Sequence, residues 1–522
     1  MFGGTLCSYV FLLVIYLTLE TESARILAFF PTPSISHQIV FRPLTHELAR
    51  RGHEVTVVTT DPYFPKGKSP PNLTEIDVHD ISYSNWAEVL TNHNMGEKNS
   101  IMKQIEFFFK RFATTLDLQL QTAEVQEILK KDRKYYDLLI LEACIRPLMG
   151  IAHVFDAPII LFSSFGAVAK QYSGFGSPMH PLLFPTPGRQ RLYNLSFWEK
   201  GFELFKHVML EYLISTTEPF DHEIMQKHFG KDVPRIGTYK DKMKMMFINE
   251  HPIWNDNRPV GPNILFVGGI HQSTVKELPD DLKKYLDSSK HGVIFMSFGT
   301  NVLASALPRD KITAITKVFS QLPYDVILKW DLDELPGKPD NVRLTKWIPQ
   351  PDMLKHPNIK LFITQGGLQS TDEAIDAAVP LIGIPMLGDQ WYNVEKYVKH
   401  NIGLQLDIHT LTEDKFKQAI ETVIKDPSYK QNITKLRSLM RSVPIKPLDQ
   451  AVFWVEHILE HGGDHLQPPS IGVSFTEYYE VKLVLVLLGI LVSILLALAF
   501  IIRAIVNKIY KKFTISVKIK HN

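Results

Sequence analysis

The chain has 522 residues, 45% of them hydrophobic and 21% charged, with a formal net charge of +2. That length allows about two to four domains, and the near-neutral balance offers nothing for a nucleic acid to bind. There are only two cysteines, Cys7 and Cys144, so a cysteine-rich metal site is excluded, and removal of Cys7 with a leader leaves no internal disulfide.

The first 23 residues hold an apolar stretch from about Val10 to Leu19, then Glu20-Thr21-Glu22-Ser23. They read as a signal peptide cut after Ser23, although the usual basic segment is missing. Arg25 to Phe30 (RILAFF) predicts a buried strand. A loop from Pro31 to Ser36 leads to a helix from about His37 to Arg51, which Pro43 should kink. Gly52 ends that helix, and Glu54 to Thr60 (EVTVVTT) is the next strand, completing one βαβ unit. Tyr136 to Glu142 and Ala157 to Ser163 read as further strands. Between about Phe165 and Glu250 the pattern is irregular and rich in Pro, Phe, Tyr and Met. Ordinary helical packing is expected for most of that region, and the wall of an apolar pocket is the alternative.

A second alternation of strands and helices begins near Asn263 to Gly269. Val293 to Phe298 is a strand, Pro308 to Leu322 a helix, Tyr324 to Trp330 a strand and Val342 to Leu344 another. The sequence thus predicts two doubly wound halves, 24–262 and 263–465, with a linker over 466–482. Ligands of such sheets sit at the carboxyl ends of the strands, so the cleft between the halves is the expected site.

Residues 362–390 carry the most chemistry: FITQGGLQSTDEAIDAAVPLIGIPMLGDQ. A strand, Ile359 to Thr364, runs into Gln365-Gly366-Gly367, where the glycines let backbone N–H groups approach a ligand. A helix follows, with Ser370 or Thr371 as N-cap and Asp372 and Glu373 in its first turn. Its N-terminus carries roughly half a positive charge and unpaired donors, which suits a phosphate. A second strand, Val379 to Ile384, leads to Asp389-Gln390, a pair able to bind several sugar hydroxyls, and then to a helix near Asp389 to Lys399.

Leu483 to Ile502 holds no charge and is long enough to span a bilayer. Arg503, Lys508, Lys511, Lys512, Lys518 and Lys520 follow without an acid, which places the 503–522 tail in the cytosol. Without those six charges the net charge of +2 becomes −4. The expected topology is single-pass type I with the body in the secretory lumen. The ending Lys518-Ile519-Lys520-His521-Asn522 matches a dilysine retrieval signal of the endoplasmic reticulum, or is simply a basic tail. Asn72, Asn194 and Asn432 begin glycosylation sequons.

These features together resemble the UDP-glycosyltransferases: the 362–390 signature, a histidine in the first strand–helix loop, and the terminal membrane helix. The resemblance covers nearly the whole chain and implies an α/β GT-B fold, two facing Rossmann-like domains plus a C-terminal transmembrane helix. It implies His37 as general base, oriented by Glu142, which stands where the family's aspartate is usual; Asp137 is the weaker candidate. Trp347 would stack on the uracil and Gln350 contact the nucleoside. Glu373 would hold the ribose. Ser297 and Thr300 of the SFGT loop, with Gln365, Gly366, Gly367 and Ser370, would face the diphosphate. Asp389 and Gln390 would hold the sugar. Gln365 departs from the histidine of many members and brings a neutral donor in place of a possible positive charge.

Asp331-Leu332-Asp333 has the form of a metal-binding triplet, but the resemblance implies catalysis without a metal or other cofactor. The TQGG and LGDQ variants are most similar to insect members. They imply transfer of glucose from UDP-glucose, ahead of UDP-glucuronic acid, to a small lipophilic acceptor such as a phenol, with inversion. The rival readings are a lumenal lipophile-binding protein with an inactive site, and a nucleotide-sugar epimerase of similar fold, which the membrane anchor disfavours. No motif specifies the acceptor or the oligomeric state.

Overall fold

The computed structural model describes residues 23–519 apart from 91–95, 98–100, 169, 273 and 274. Residues 1–22 of the expected signal peptide and Lys520 to Asn522 lie outside the described residues, as does the Lys518 side chain.

Two parallel sheets form the body. The first is built from β1 (Arg25–Phe30), β2 (Glu54–Thr59), β3 (Leu73–Asp77), β4 (Leu138–Glu142), β5 (Ile159–Ser163), β6 (Met243–Ile248) and β7 (Ile264–Phe266), in the order β3-β2-β1-β4-β5-β6-β7. The second is built from β8 (Val293–Ser297), β9 (Asp325–Lys329), β10 (Val342–Thr345), β11 (Ile359–Thr364), β12 (Leu381–Gly383) and β13 (Gly403–Gln405), in the order β10-β9-β8-β11-β12-β13. Buried apolar runs such as LLILE and VIFMS suit parallel strands covered on both faces. Alternation sorts their side chains. Leu139 and Leu141 enter one core of the first sheet while Leu138 and Ile140 enter the other. Met296 and Phe295 divide the second sheet in the same way.

The helices used below are α1 (Ile35–Arg50), α2 (Ile101–Gln119), α3 (Phe197–Thr216), α4 (Leu368–Ala377), α5 (Gln390–Lys399), α6 (Pro447–His461) and α7 (Val481–Ile519). Helix α1 begins two residues earlier than expected, so His37 lies in its first turn rather than in the preceding loop; Pro43 is accommodated inside it.

Strand order reverses between β1 and β4 in the first sheet and between β8 and β11 in the second. A crevice opens at the carboxyl ends of strands where the order reverses. Those ends carry Phe30 and Glu142 in the first sheet, and Ser297 paired with Thr364 in the second.

The expected break at residue 263 falls one strand early. Ile264–Phe266 pairs with β6 and closes the first sheet. Helix α6, within the segment expected to belong wholly to the second half, packs Ala451, Val452 and Val455 into a core of the first sheet. Residues 468–522 form a separate compact unit. Its helix α7 is long and apolar enough over Val481–Lys512 to cross a membrane, longer than the span expected at 483–502.

Candidate active site

His37, in the first turn of α1 just after β1, and Glu142, the last residue of β4, meet at the reversal of the first sheet. His37 Nδ1 lies 3.0 Å from Glu142 Oε1 and 2.8 Å from Ser164 Oγ. Glu142 is buried, and its second oxygen accepts from the Thr32 amide at 3.1 Å. A carboxylate held in this way accepts a hydrogen bond from Nδ1–H of the neutral ring and so leaves Nε2 with a lone pair. Asp137 sits at the opposite end of the strand, where its carboxylate accepts from the Arg25 amide at 2.7 Å; it does not orient His37. Ser164 was not legible in advance as a site residue, because it follows β5 in an unremarked Ser-Ser pair.

The second sheet supplies the opposite wall. Helix α4 starts at Leu368 with Gly367 as its N-cap, not at Ser370 or Thr371. Gly367 has extended backbone and carries the cap without a side chain, so the helix reaches one turn further. Asp372 and Glu373 therefore fall in its second turn. Gly367, Leu368, Gln369 and Ser370 all line one cavity, which presents the helix's first amides to a ligand. The Thr371 hydroxyl, turned inward, donates to the Gly367 carbonyl at 2.9 Å.

Two residues expected to face the diphosphate do not line the cavity. Ser297 is buried, does not line the cavity, and accepts from the Gly299 amide at 3.2 Å. Gly366 also stays outside it: its amide donates to Thr364 Oγ1 and its carbonyl accepts from Asn393. At φ +92 a Cβ on Gly366 would meet Val394 at 2.4 Å, so this glycine serves packing against α5. Gly299 and Thr300 do line the cavity, as do Gln365 and Lys329.

Lys329, at the carboxyl end of β9, donates to the Gly299 carbonyl at 2.8 Å and lies 5.2 Å from the centroid of the Trp347 ring. Burial lowers its ammonium below the ordinary value. Its position at a strand end in a parallel sheet was the signal that could have found it. Gln365 is buried beside it, and its Oε1 has no hydrogen-bond partner among the described residues.

Trp347 presents an exposed ring to the cavity mouth. Gln350 donates to Glu373 at 2.6 Å and to the Ser370 hydroxyl at 2.9 Å, so the three form one polar cluster. Burial pushes the Glu373 carboxyl up to about 7, with Gln350 pulling the other way. Gln390 spends its side-chain oxygen on the Met386 and Leu387 amides at 2.8 Å each, which leaves its Nε2 donor for a ligand. Asp389 accepts from Asn393 at 2.9 Å. Burial pushes its carboxyl up to about 6, against the pull of Asn393 and of His37 across the cleft.

The cavity between these walls has a volume of about 480 Å³. Its first-half wall comes from Trp86 and from Ile105, Phe108, Phe109 and Phe112 of α2, with Leu210 and Ile214 of α3. Sequence reasoning placed a pocket wall no earlier than Phe165; the signal was the Phe107-Phe108-Phe109 run in an amphipathic segment. One end of the cavity is thus apolar, the other lined by amides, one ammonium and carboxylates, and His37 stands between them.

Asp331 and Asp333 are engaged elsewhere: Asp331 accepts from the Ser305 amide at 3.0 Å, and Asp333 pairs with Lys346 at 2.6 Å. Asn72 and Asn194 are exposed on left-handed backbone, whereas Asn432 lies in a helix and donates to the Asn401 carbonyl at 3.1 Å.

Comparison with known proteins agrees with this geometry. The family model described as "UDP-glucoronosyl and UDP-glucosyl transferase" matches residues 25–520. An ecdysteroid UDP-glucosyltransferase of Lymantria dispar multicapsid nuclear polyhedrosis virus is 33% identical over 479 residues, covering 90% of this chain and 94% of the relative. UDP-glucosyltransferase 2 of Dactylopius coccus is 31% identical over 513 residues, covering 96% and 97%. Among solved structures, the glycosyltransferase VinC in complex with dTDP superimposes with a TM-score of 0.56 at 16% identity, over 84% of this chain and all of that one. The fold is therefore GT-B, and the chain belongs to the UDP-glycosyltransferase family.

Proposed function

We propose that the enzyme transfers glucose from UDP-glucose to a hydroxyl of a small lipophilic acceptor, with inversion and with His37 as general base. The observation that carries this reading is the Nδ1 contact of His37 with buried Glu142 at 3.0 Å, at the junction of an apolar and a polar compartment. His37 Nε2 takes the acceptor proton as the acceptor oxygen attacks the anomeric carbon in line. The bond from that carbon to the diphosphate oxygen breaks on the opposite face, and UDP leaves with the electron pair. The imidazolium that forms is stabilised by Glu142.

The charge on departing UDP is met by the first amides of α4 and by the Lys329 ammonium, so no metal is required. Trp347 offers a ring for the uracil, Gln350 and Glu373 acceptors and donors for the nucleoside, and Asp389 with Gln390 Nε2 partners for the sugar hydroxyls. Glucose is preferred because the viral and Dactylopius relatives are named glucosyltransferases. The family reading also supports a type I protein of the endoplasmic reticulum, with its body in the lumen, its tail in the cytosol, and glycans on Asn72 and Asn194 ahead of Asn432. Loss of mobility shift in Asn72→Gln and Asn194→Gln tests that placement.

Microsomes carrying the full chain, incubated with a panel of phenols and either UDP-glucose or UDP-glucuronic acid, test the activity. Acceptor-dependent UDP release with UDP-glucose, abolished in His37→Ala and unaffected by a chelator, is the expected result. Release that persists in His37→Ala removes the base assignment, and a stronger response to UDP-glucuronic acid removes the donor assignment.

A further inference from the structure

The apolar end of the cavity holds two hydrogen-bond donors that no described residue satisfies. Trp86, in the helix His79–Leu90, lines the cavity and is only 3% exposed. Its ring stacks on Phe112 at 5.4 Å between centroids, and its Nε1–H has no partner among the described residues. A donor buried without an acceptor is costly, and a phenylalanine would pack there without that cost. Arg42 lines the same space. It follows His37 by five residues, about 7.5 Å along the axis of α1. Its Nη2 donates to the Asp61 carbonyl at 2.6 Å, whereas Nε is buried without a partner and Nη1 makes no hydrogen bond among the described residues.

The charge of Arg42 is answered from behind the wall. Burial weakens the guanidinium's hold on its proton, and Asp61 and Glu75 pull the other way. Asp61 accepts from the Tyr83 hydroxyl at 3.0 Å, and Glu75 from the Tyr63 and Phe64 amides at 3.0 Å each. Neither carboxylate residue lines the cavity. An anion brought to this end meets one cation and, behind it, two carboxylates. A carbonyl oxygen accepts from N–H groups and brings no charge.

We propose that the acceptor carries a neutral carbonyl oxygen at the end remote from the hydroxyl that takes the sugar, and that Trp86 Nε1–H and Arg42 Nη1 receive it. The site then holds its acceptor at both ends, the hydroxyl at His37 and the carbonyl at the far wall. The class is an uncharged hydroxylated lipophile bearing a ketone, lactone or amide. It rests on the glycosyl-transfer reading above.

Three para-substituted phenols of similar size test this on the full chain in microsomes with UDP-glucose. One is an alkyl ketone, one the hydrocarbon in which a methyl group replaces the ketone oxygen, and one the carboxylate of matching length. The KM of the ketone should lie about tenfold below that of the hydrocarbon, against the order of their lipophilicity. Trp86→Phe keeps a ring and removes the donor, and should shrink that ratio about fivefold. Arg42→Met should act in the same direction, with calorimetric UDP binding as the check that each variant is folded. Equal KM values for ketone and hydrocarbon in the wild-type chain overturn the proposal without any variant. A ratio unchanged in both folded variants overturns it as well. A KM lowest for the carboxylate overturns the neutral class. If the wild-type chain glucosylates no phenol, the glycosyl-transfer reading fails, and calorimetric Kd values of the same three compounds decide the carbonyl contact by the same criteria.

Discussion

The two ends of the cavity are made of different material. The second-sheet end is polar and tightly interlocked: Gln350, Ser370 and Glu373 bond to one another, Gln390 is pinned by two backbone amides, and Asp389 is held by Asn393. At the first-sheet end, the wall supplied by α2 and α3 is made of rings and aliphatic groups. A directional site recognises one donor by hydrogen bonds that fail if a partner is missing. An apolar wall accepts whatever fits its volume. Under the proposed function, directional contacts select the donor and the shape of the wall selects the acceptor.

The largest expected effect falls between the two ends. His37→Ala should lower kcat by about 10³-fold, while the Kd of UDP from calorimetry stays unchanged. Glu142→Gln should cost about 10²-fold in kcat with the acceptor KM nearly constant, since the base loses its orienting carboxylate. Lys329→Met should raise the KM of UDP-glucose about tenfold, the effect of losing one charge-assisted contact to phosphate, and leave the acceptor KM alone. Phe108→Ala should do the reverse, raising the KM of a phenol about fivefold without altering UDP affinity. If either of these last two variants moves both constants together, the division between the ends fails.

Glu373 gives the smallest effect and a pH signature. Burial raises its carboxyl from 4.5 to about 7, so the folded protein prefers the neutral form. The associated stability is present below 4.5 and is lost as pH rises through about 7. If Glu373 holds the ribose as proposed, its ionised form accepts from the ribose hydroxyls and UDP affinity should strengthen as pH rises through about 7. In Glu373→Gln that component should vanish. Taking the ratio of the two Kd curves removes the titration of UDP itself, and a flat ratio counts against the ribose contact.

The polar end was largely legible because residues 362–390 carry a long family signature: Gln365, Asp389 and Gln390 were named by that resemblance, while the strand ends and helix starts they occupy follow from short-range pattern. Ser297 and Gly366 show the limit. Pattern places a residue at the turn, but which neighbour its hydroxyl or amide bonds to is settled by local geometry, and both turned away from the cavity. The cap of α4 was misplaced because an extended glycine does the work expected of a serine. The apolar wall at Trp86 and on α2 was not read at all. A phenylalanine facing a cavity and one facing a core have the same periodicity. Ile264–Phe266 was given to the wrong sheet because strand pairing depends on contacts that no local segment encodes.

Ser164 joins the two halves beside the base. Its hydroxyl touches His37 Nδ1 at 2.8 Å, and its carbonyl accepts from Gln369 of helix α4 at 2.9 Å. The residue beside the base is therefore also a latch between the two halves. Asn249 Nδ2 donates to the same carbonyl at 2.9 Å, so Ser164 is also held from within the first half. Base and donor helix are thus joined by a path of two hydrogen bonds, His37 to Ser164 and Ser164 to Gln369.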